Sequence, residues 1–112
     1  NRDFLKGFPR PFALEIPYPN PCRLSTRLRY TLPYRWETGG RLVDRNYEVR
    51  VTIHDAHGKT IRTLAHRPQS PGSYAVVWDG KCWSGRVVSA GSYFCRITAG
   101  EYEVMKRVMM IR

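Results

Sequence analysis

Short alternating segments dominate the sequence and constrain its fold more than any other feature. Residues 24–32, 47–55, 73–78 and 92–98 alternate apolar with polar or charged side chains, a period of two that is typical of strands with one buried face. No window of a dozen residues keeps a helical spacing of 3.6 without an interrupting Gly or Pro. The pattern therefore predicts an all-β chain.

Turn signals separate these segments at intervals of roughly ten residues. A tight turn is predicted at 55–58, then a short apolar run around Ile61 and Leu64, then a loop at 68–72. A last strand is expected over 102–111, and its end is apolar on both faces. Six or seven short strands of this kind predict an antiparallel β-sandwich. An open barrel of the oligonucleotide-binding kind is the alternative.

The first part of the chain differs from the rest in its proline content. Five of the eight prolines fall within residues 1–21, and proline lacks the amide donor that a regular ladder needs. We therefore assign residues 1–21 to an extended arm and residues 22–112 to the sandwich. Phe12, Leu14 and Ile16 lie near enough to the sandwich in sequence to be expected at the edge of its core.

Composition limits the classes of function. The 112 residues are 42% hydrophobic, enough for one packed core, and their apolar runs are too short to span a bilayer as a helix. Neither a Ser, His and Asp cluster nor a Gly-rich phosphate loop is evident. His54, Asp55 and His57 are too few to suggest a metal site, and we expect solvated histidines there. The chain is expected to be no enzyme and to need no cofactor and no metal.

The expected core combines the apolar faces of the predicted strands. Its members are Leu28, Tyr30, Val51, Ile53, Val76, Trp78, Tyr93, Cys95 and Ile97. Three cysteines without a C-x-x-C pair allow at most one disulfide, so the redox compartment is not decided. Cys82 falls in a predicted turn, where it reacts with thiol reagents unless Cys22 pairs with it. Cys95 is expected to be a buried small apolar residue.

One motif could be a ligand site, but a structural role is favoured for it, and a second motif concerns the fold. In Trp78-Asp79-Gly80 we expect a core Trp, an Asp that accepts amides of its own turn, and a Gly with positive φ. Tyr93, two residues before Cys95, is placed like the tyrosine corner of immunoglobulin-like sandwiches, but residues 27–32 lack the partner cysteine that such domains carry.

Several short motifs occur in an order that is more specific than the strands themselves. They are Phe12-Ala-Leu14, Tyr18-Pro-Asn-Pro21, Tyr30-Thr-Leu-Pro33, Val51-Thr-Ile-His-Asp-Ala-His-Gly58, Ile61-Arg-Thr-Leu64, Pro71-Gly72, Val76-Val-Trp-Asp-Gly80, Ser84-Gly85, Ala90-Gly-Ser-Tyr-Phe94, Ala99-Gly100 and Lys106-Arg-Val-Met-Met-Ile-Arg112. With these motifs, about residues 12–112 resemble the C-terminal immunoglobulin-like sorting modules of type IX secretion in Bacteroidota-type bacteria. The sequence equally resembles the immunoglobulin-like domain of the flagellar hook-capping protein.

This resemblance implies an immunoglobulin-like antiparallel β-sandwich of about seven strands. It also implies an extracytoplasmic, non-catalytic module for sorting, anchoring or assembly of a secreted protein. The sequence departs from the pattern at Cys22, where the family has an aromatic residue, at Lys81-Cys82-Trp83, and in a long stretch over 34–46. The family's sorting domains are not notably basic, whereas this chain carries +10. A small accessory subunit of an envelope or extracellular complex is therefore the second hypothesis.

The positive charge leaves a third hypothesis, a basic nucleic-acid-binding barrel. Arg27, Arg29 and Arg50 would then project from one sheet face, with Tyr34 and Trp36 near enough to stack on bases. Acidic proteins, anionic lipid or polysaccharide are the competing partners of such a surface. The resemblance favours these extracytoplasmic partners over nucleic acid.

Residues 34–46 are predicted to form an inserted loop or ribbon that contacts a protein partner. Pro33 ends one strand and Tyr47 begins the next, so a short link would suffice. Gly39-Gly40 is the expected tip, and a ribbon folded back so that Trp36 caps the sandwich is the alternative. With two Phe of the arm, the residues predicted to bind a partner are Phe4, Phe8, Tyr34, Arg35, Trp36, Arg41 and Arg45.

Overall fold

A computed structural model describes residues 12–36, 42–43 and 46–111, with residues 35–36 and 42–43 described by their backbone alone. Its strands are β1 (Ala13–Leu14), β2 (Thr26–Leu32), β3 (Arg35–Trp36), β4 (Leu42–Val43), β5 (Tyr47–His54), β6 (Thr60–Gln69), β7 (Gly72–Trp78), β8 (Gly91–Ala99) and β9 (Tyr102–Met110). Within these residues there is no helix long and apolar enough to cross a membrane.

Seven of these strands form two antiparallel sheets. The order is β1-β2-β7 in the smaller sheet and β6-β5-β8-β9 in the larger one. Alternation places Leu28 and Tyr30 on the inner face of β2, and Val51 and Ile53 on the inner face of β5. Two sheets that bury their inner faces against each other make an immunoglobulin-like β-sandwich, which confirms the predicted fold class.

The core follows the predicted faces closely. Eight of the nine residues expected there are buried, and Val76 is partly buried against them. Sequence analysis did not place Tyr47 or Gln69 in this region. Tyr47 is fully buried, and Gln69 accepts a 2.6 Å hydrogen bond from the hydroxyl of Tyr30 across the sheets.

The predicted loop at 68–72 is shorter than expected: β6 runs for ten residues to Gln69 and β7 begins at Gly72, so only Ser70 and Pro71 connect them. β6 is an edge strand, and Pro68 pairs with Glu48 of β5. An edge strand tolerates proline, because the missing amide can fall on the side that has no ladder partner. The short run expected around Ile61 and Leu64 is therefore the first half of a longer strand.

The part of the arm that the structure describes lies against the sandwich. Phe12 stacks on Tyr102 with ring centroids 5.1 Å apart, and Leu14 is buried. Ile16 is 73% exposed, so its expected place at the core edge is wrong. The reason is local: β1 ends at Leu14, and the alternation that would turn Ile16 inward stops there. The domain division at residue 21 stays a prediction, since residues 1–11 lie outside the described part.

Asn20 and Cys22 join the arm to the last strand. The Asn20 side chain donates to the carbonyl of Arg107 at 3.0 Å and accepts from the amide of Met109 at 2.8 Å. The amide of Cys22 donates to the carbonyl of Met109, and the amide of Ile111 donates to the carbonyl of Cys22. These four bonds cover the outer edge of β9 at its end.

Candidate partner-binding surfaces

The stretch after β2 contains a two-stranded ribbon at its base. β3 and β4 pair antiparallel, with Arg35 opposite Val43 and Trp36 opposite Leu42. The ribbon begins close to the core, because the hydroxyl of buried Tyr47 donates to the carbonyl of Pro33. This bond fixes the point at which the chain leaves the sandwich.

The residues predicted to bind a partner are only partly visible. Tyr34 is 40% exposed at the start of the ribbon. Arg35 and Trp36 lie in β3, but their side chains fall outside what the structure describes. Phe4, Phe8, the Gly39-Gly40 tip, Arg41 and Arg45 also lie outside the described residues. Tyr34, Arg35 and Trp36 are consecutive residues at the base of the ribbon, and their role in binding a partner stays a prediction.

The outer face of the smaller sheet carries a second surface, which sequence analysis identified only by its arginines. Arg27 pairs with Val77 of β7 and Arg29 with Ala75, so these side chains share one solvent-facing surface. An open groove of about 300 Å³ crosses it, and Ile16 and Val77 are among its lining residues. Tyr18, 79% exposed, forms part of the same groove.

Arg50 does not join that surface. It lies on β5 of the larger sheet, outward-facing and within 3.2 Å of the His66 ring. The outer faces of the two sheets point in opposite directions, so the prediction that Arg27, Arg29 and Arg50 share one face is wrong. The basic surface predicted for nucleic acid is therefore not formed, because Arg27 and Arg29 lie on one side of the sandwich and Arg50 on the other.

The Trp78-Asp79-Gly80 turn is structural, as expected. Trp78 is fully buried, and its Nε1 donates to the carbonyl of Lys81 at 3.0 Å. Although partial desolvation opposes ionisation, hydrogen bonds from Arg62 and from the Lys81 amide lower the pKa of the Asp79 carboxyl. Gly80 has φ of 75°, a left-handed conformation that favours glycine. These contacts give Trp78, Asp79 and Gly80 a structural role in the turn.

The tyrosine-corner expectation for Tyr93 is also confirmed. Its hydroxyl donates to the carbonyl of Ser89, four residues upstream, at 2.7 Å. The ring of Tyr93 meets Trp78 edge-on at 5.5 Å. Tyr93 thus fixes the entry to β8 rather than forming a binding site.

The three cysteines occupy different environments and none is in a disulfide. Cys22 is buried, with its Sγ 4.0 Å from the sulfur of Met110. Burial raises the pKa of the Cys95 thiol to about 11, as suits an inert core residue. Cys82 lies in a surface turn, where hydrogen bonding to Ser84 lowers the pKa of its thiol. The disulfide between Cys22 and Cys82, which the sequence left open as an alternative, is not formed.

The expectation of solvated histidines fails at His54. This ring is 8% exposed and lies 2.9 Å from the Thr52 hydroxyl and 3.2 Å from the Thr60 hydroxyl. Each ring nitrogen of His54 thus has a hydroxyl within hydrogen-bonding distance, which allows the ring to be buried on the outer face of β5. Among the described residues, no cluster of three or more His, Cys, Asp or Glu side chains could hold a metal ion.

The antiparallel two-sheet sandwich with its tyrosine corner defines an immunoglobulin-like domain. The family model of the FlgD Ig-like domain matches residues 36–103, which is more than half of the chain. The chain belongs to the FlgD Ig-like domain family, and the resemblance stated from its motifs is confirmed. This family is a structural domain type, which agrees in general terms with a non-catalytic assembly module.

A solved structure with a similar fold is the crystal structure of dimeric latent PorU from Porphyromonas gingivalis. The TM-score is 0.59 at 19% sequence identity, over 91% of this chain and 10% of that chain. At this identity the likeness shows the fold alone. The chain spans about a tenth of the PorU chain's length. The comparison with curated proteins gave no match.

Proposed function

We propose that this chain is a non-catalytic module that sorts, anchors or assembles an exported protein at the cell envelope or outside it. The observation that carries the proposal is the structural likeness to PorU, which takes in 91% of this chain but 10% of that one. A sandwich of this type thus occurs as a small unit within a large protein. The family of the FlgD Ig-like domain supports the same assembly role.

The order of motifs around this fold favours sorting by type IX secretion as the first function to test. The full chain would be fused to the C-terminus of a reporter enzyme that carries a secretory leader, in a Bacteroidota host. We expect reporter activity at the cell surface or in the medium, and its retention in the periplasm when the outer-membrane translocon of that system is deleted.

Two controls make this result specific. The reporter with its leader alone should stay in the periplasm in both strains. A fusion carrying Trp78→Ala, which removes a fully buried side chain, reports whether the folded sandwich is needed. Retention of the intact fusion in the periplasm of the secreting strain would contradict a sorting role.

A second candidate function is an accessory subunit that docks into an envelope or extracellular complex. The observation that favours it is the β3–β4 ribbon, which leaves the sandwich beside exposed Tyr34. In this case Phe4, Phe8, Tyr34, Arg35, Trp36, Arg41 and Arg45 contact the partner, because Trp, Tyr and Arg dominate binding hot spots. The charge of +10 favours an acidic protein surface, with anionic lipid or polysaccharide as alternatives.

The accessory role is tested by combining Tyr34→Ala with Trp36→Ala. We expect weaker association with native envelope complexes in co-purification, with a melting temperature close to that of the parent chain. Trp83→Ala is the matched control, since Trp83 is a 63% exposed Trp on the β7–β8 connection. Lost stability with intact association would instead assign Trp36 to the domain's own core.

A further inference from the structure

β7 is an edge strand whose outer side has no strand partner within residues 12–36, 42–43 and 46–111. It pairs with β2 along all seven of its residues without a bulge. Its sequence, Gly-Ser-Tyr-Ala-Val-Val-Trp, contains neither a proline nor a charged side chain. Over residues 74–78, an uncharged edge of this kind is a template for pairing with another strand.

The other sheet edges in the described part of the chain carry the usual protection. β1 has two residues and is soon followed by Pro17. β6 is interrupted opposite β5 by two register shifts and contains Pro68. β9 is covered at its end by Asn20 and Cys22. Since short edges, prolines, bulges and covering segments are how proteins block edge pairing, the open edge of β7 stands apart.

Two arginines lie beside that edge, and the one carboxylate among the residues lining the groove, Glu15, lies on the side of β2 away from β7. Arg27 and Arg29 face solvent on β2, directly across from Val77 and Ala75 of β7. Neither guanidinium forms an ion pair or hydrogen bond with another described residue. Ala75 and Val77 are short, so both arginines can reach over β7 toward a strand added at its outer side.

We propose that the edge of β7 accepts an extended acidic segment of a partner protein as an added strand. Backbone hydrogen bonds to β7 would hold the segment, and Arg27 and Arg29 would bind its carboxylates. Residues two apart on a strand project on the same side about 7 Å apart, so the two arginines match acidic side chains at alternate positions. This inference goes beyond the proposed function, because it names a site and the chemistry of its ligand.

Two other occupants fit this surface less well. A second copy of the chain, paired through its own β7, would bring two more arginines to the same face and add a second charge of +10. Nucleic acid binds basic grooves through stacking on aromatic rings. Exposed Tyr18 lines the same groove, but it pairs with Arg27 on the side of β2 away from β7. The side chains between the two arginines and the open edge are Ala75 and Val77, which are not aromatic.

The experiment titrates the full chain with a seven-residue peptide in which glutamate alternates with valine, equal in length to β7. The dissociation constant is measured by calorimetry, and amide hydrogen exchange is followed residue by residue. We expect saturable binding with slower exchange of alternate β7 amides, those that point away from β2. Combining Arg27→Glu with Arg29→Glu should weaken binding about tenfold or more.

A matched control carries Arg86→Glu and Arg107→Glu, which make the same change in net charge at exposed positions outside the smaller sheet. At high salt, where distant charges are screened, we expect the dissociation constant of the peptide for this control to lie within about twofold of that for the unsubstituted chain. An equal loss in both double variants would overturn the site. So would unchanged exchange in β7, or equal binding of a peptide with proline at its central position.

Two further measurements distinguish the acidic segment from the two competing occupants, a second copy and nucleic acid. Concentration-dependent dimers in sedimentation, with slower exchange of the β7 amides in the dimer and no binding of the peptide, would replace the acidic segment with a second copy. A thymidine oligonucleotide that binds the parent chain as tightly as the peptide, and protects no β7 amide, would replace it with nucleic acid. Absence of both results is expected.

Discussion

Gly80 lies where the turn after β7, the segment that leads into β2 and the last strand meet, and replacing it tests this junction. The residue is buried, with φ of 75°. A Cβ atom at this position would stand 2.8 Å from the carbonyl oxygen of Leu24 and 3.1 Å from Cε of Met110. The Met110 methyl can turn aside, but the Leu24 oxygen belongs to the backbone and cannot move alone.

Two terms make up the expected effect of Gly80→Ala. A left-handed φ costs a non-glycine residue about 1–2 kcal/mol, partly offset by about 0.4–1 kcal/mol because alanine restricts the unfolded chain. Forcing a methyl against a packed backbone adds about 1–3 kcal/mol. Gly85→Ala isolates the first term, because Gly85 has φ of 84° and open space around the position of its Cβ.

Urea unfolding followed by tryptophan fluorescence measures both variants. We expect Gly85→Ala to lower the free energy of unfolding by about 1 kcal/mol or less, and Gly80→Ala by a further 1–3 kcal/mol or so. The m-value should stay unchanged, since neither substitution alters the surface exposed on unfolding. Equal losses, within about 0.5 kcal/mol, would refute the close approach of Leu24 to this turn.

Three further predictions concern the core, the thiols and one carboxylate. Trp78→Ala should lower the free energy of unfolding by about 3–5 kcal/mol, because a fully buried indole leaves a large cavity, and a urea-measured loss below about 1 kcal/mol would contradict its core position. Iodoacetamide should modify Cys82 in the native chain and Cys95 only after unfolding, and mass mapping of early native label on Cys95 would contradict the raised pKa of its thiol. The pKa of the Asp79 carboxyl is lower in the folded chain, against partial desolvation, because Arg62 donates to it. Asp79→Asn should therefore lower the melting temperature at neutral pH. The difference in melting temperature should vanish as the pH falls through the folded pKa of the carboxyl, and a difference independent of pH would count against the ion pair.

The strands and the core were predictable because one face of each strand is buried. Burial alternates along the whole of β2 and along the first half of β5, and the apolar residues of both strands keep a period of two on the inner face. In the second half of β5 the outward-facing Thr52 and His54 are buried as well, which alternation does not predict. β6 was not predicted at its true length. As an edge strand with a register shift, its side chains are mostly intermediate or exposed, and Pro68 reads locally as a loop signal.

The candidate surfaces were predictable only in part, because alternation tells which residues share a strand face but not which strands share a sheet. Arg27 and Arg50 have the same outward pattern, yet their strands belong to opposite sheets. The open edge of β7 had a signal in its lack of charge and proline. Recognising that signal requires knowing which strands are edges, and that follows from sheet order rather than from local sequence.

The contacts of Asn20 with β9 have a consequence for chains made or exported from one end. They join residues 87 and 89 positions apart, so they cannot form until nearly the whole chain is available. A chain that stops before Arg107 leaves the Asn20 side chain without both backbone partners and the larger sheet without the end of its outer strand. The larger sheet is therefore complete only when the end of β9 is present. A chain truncated within β9 would expose an unpaired edge of the kind that promotes aggregation.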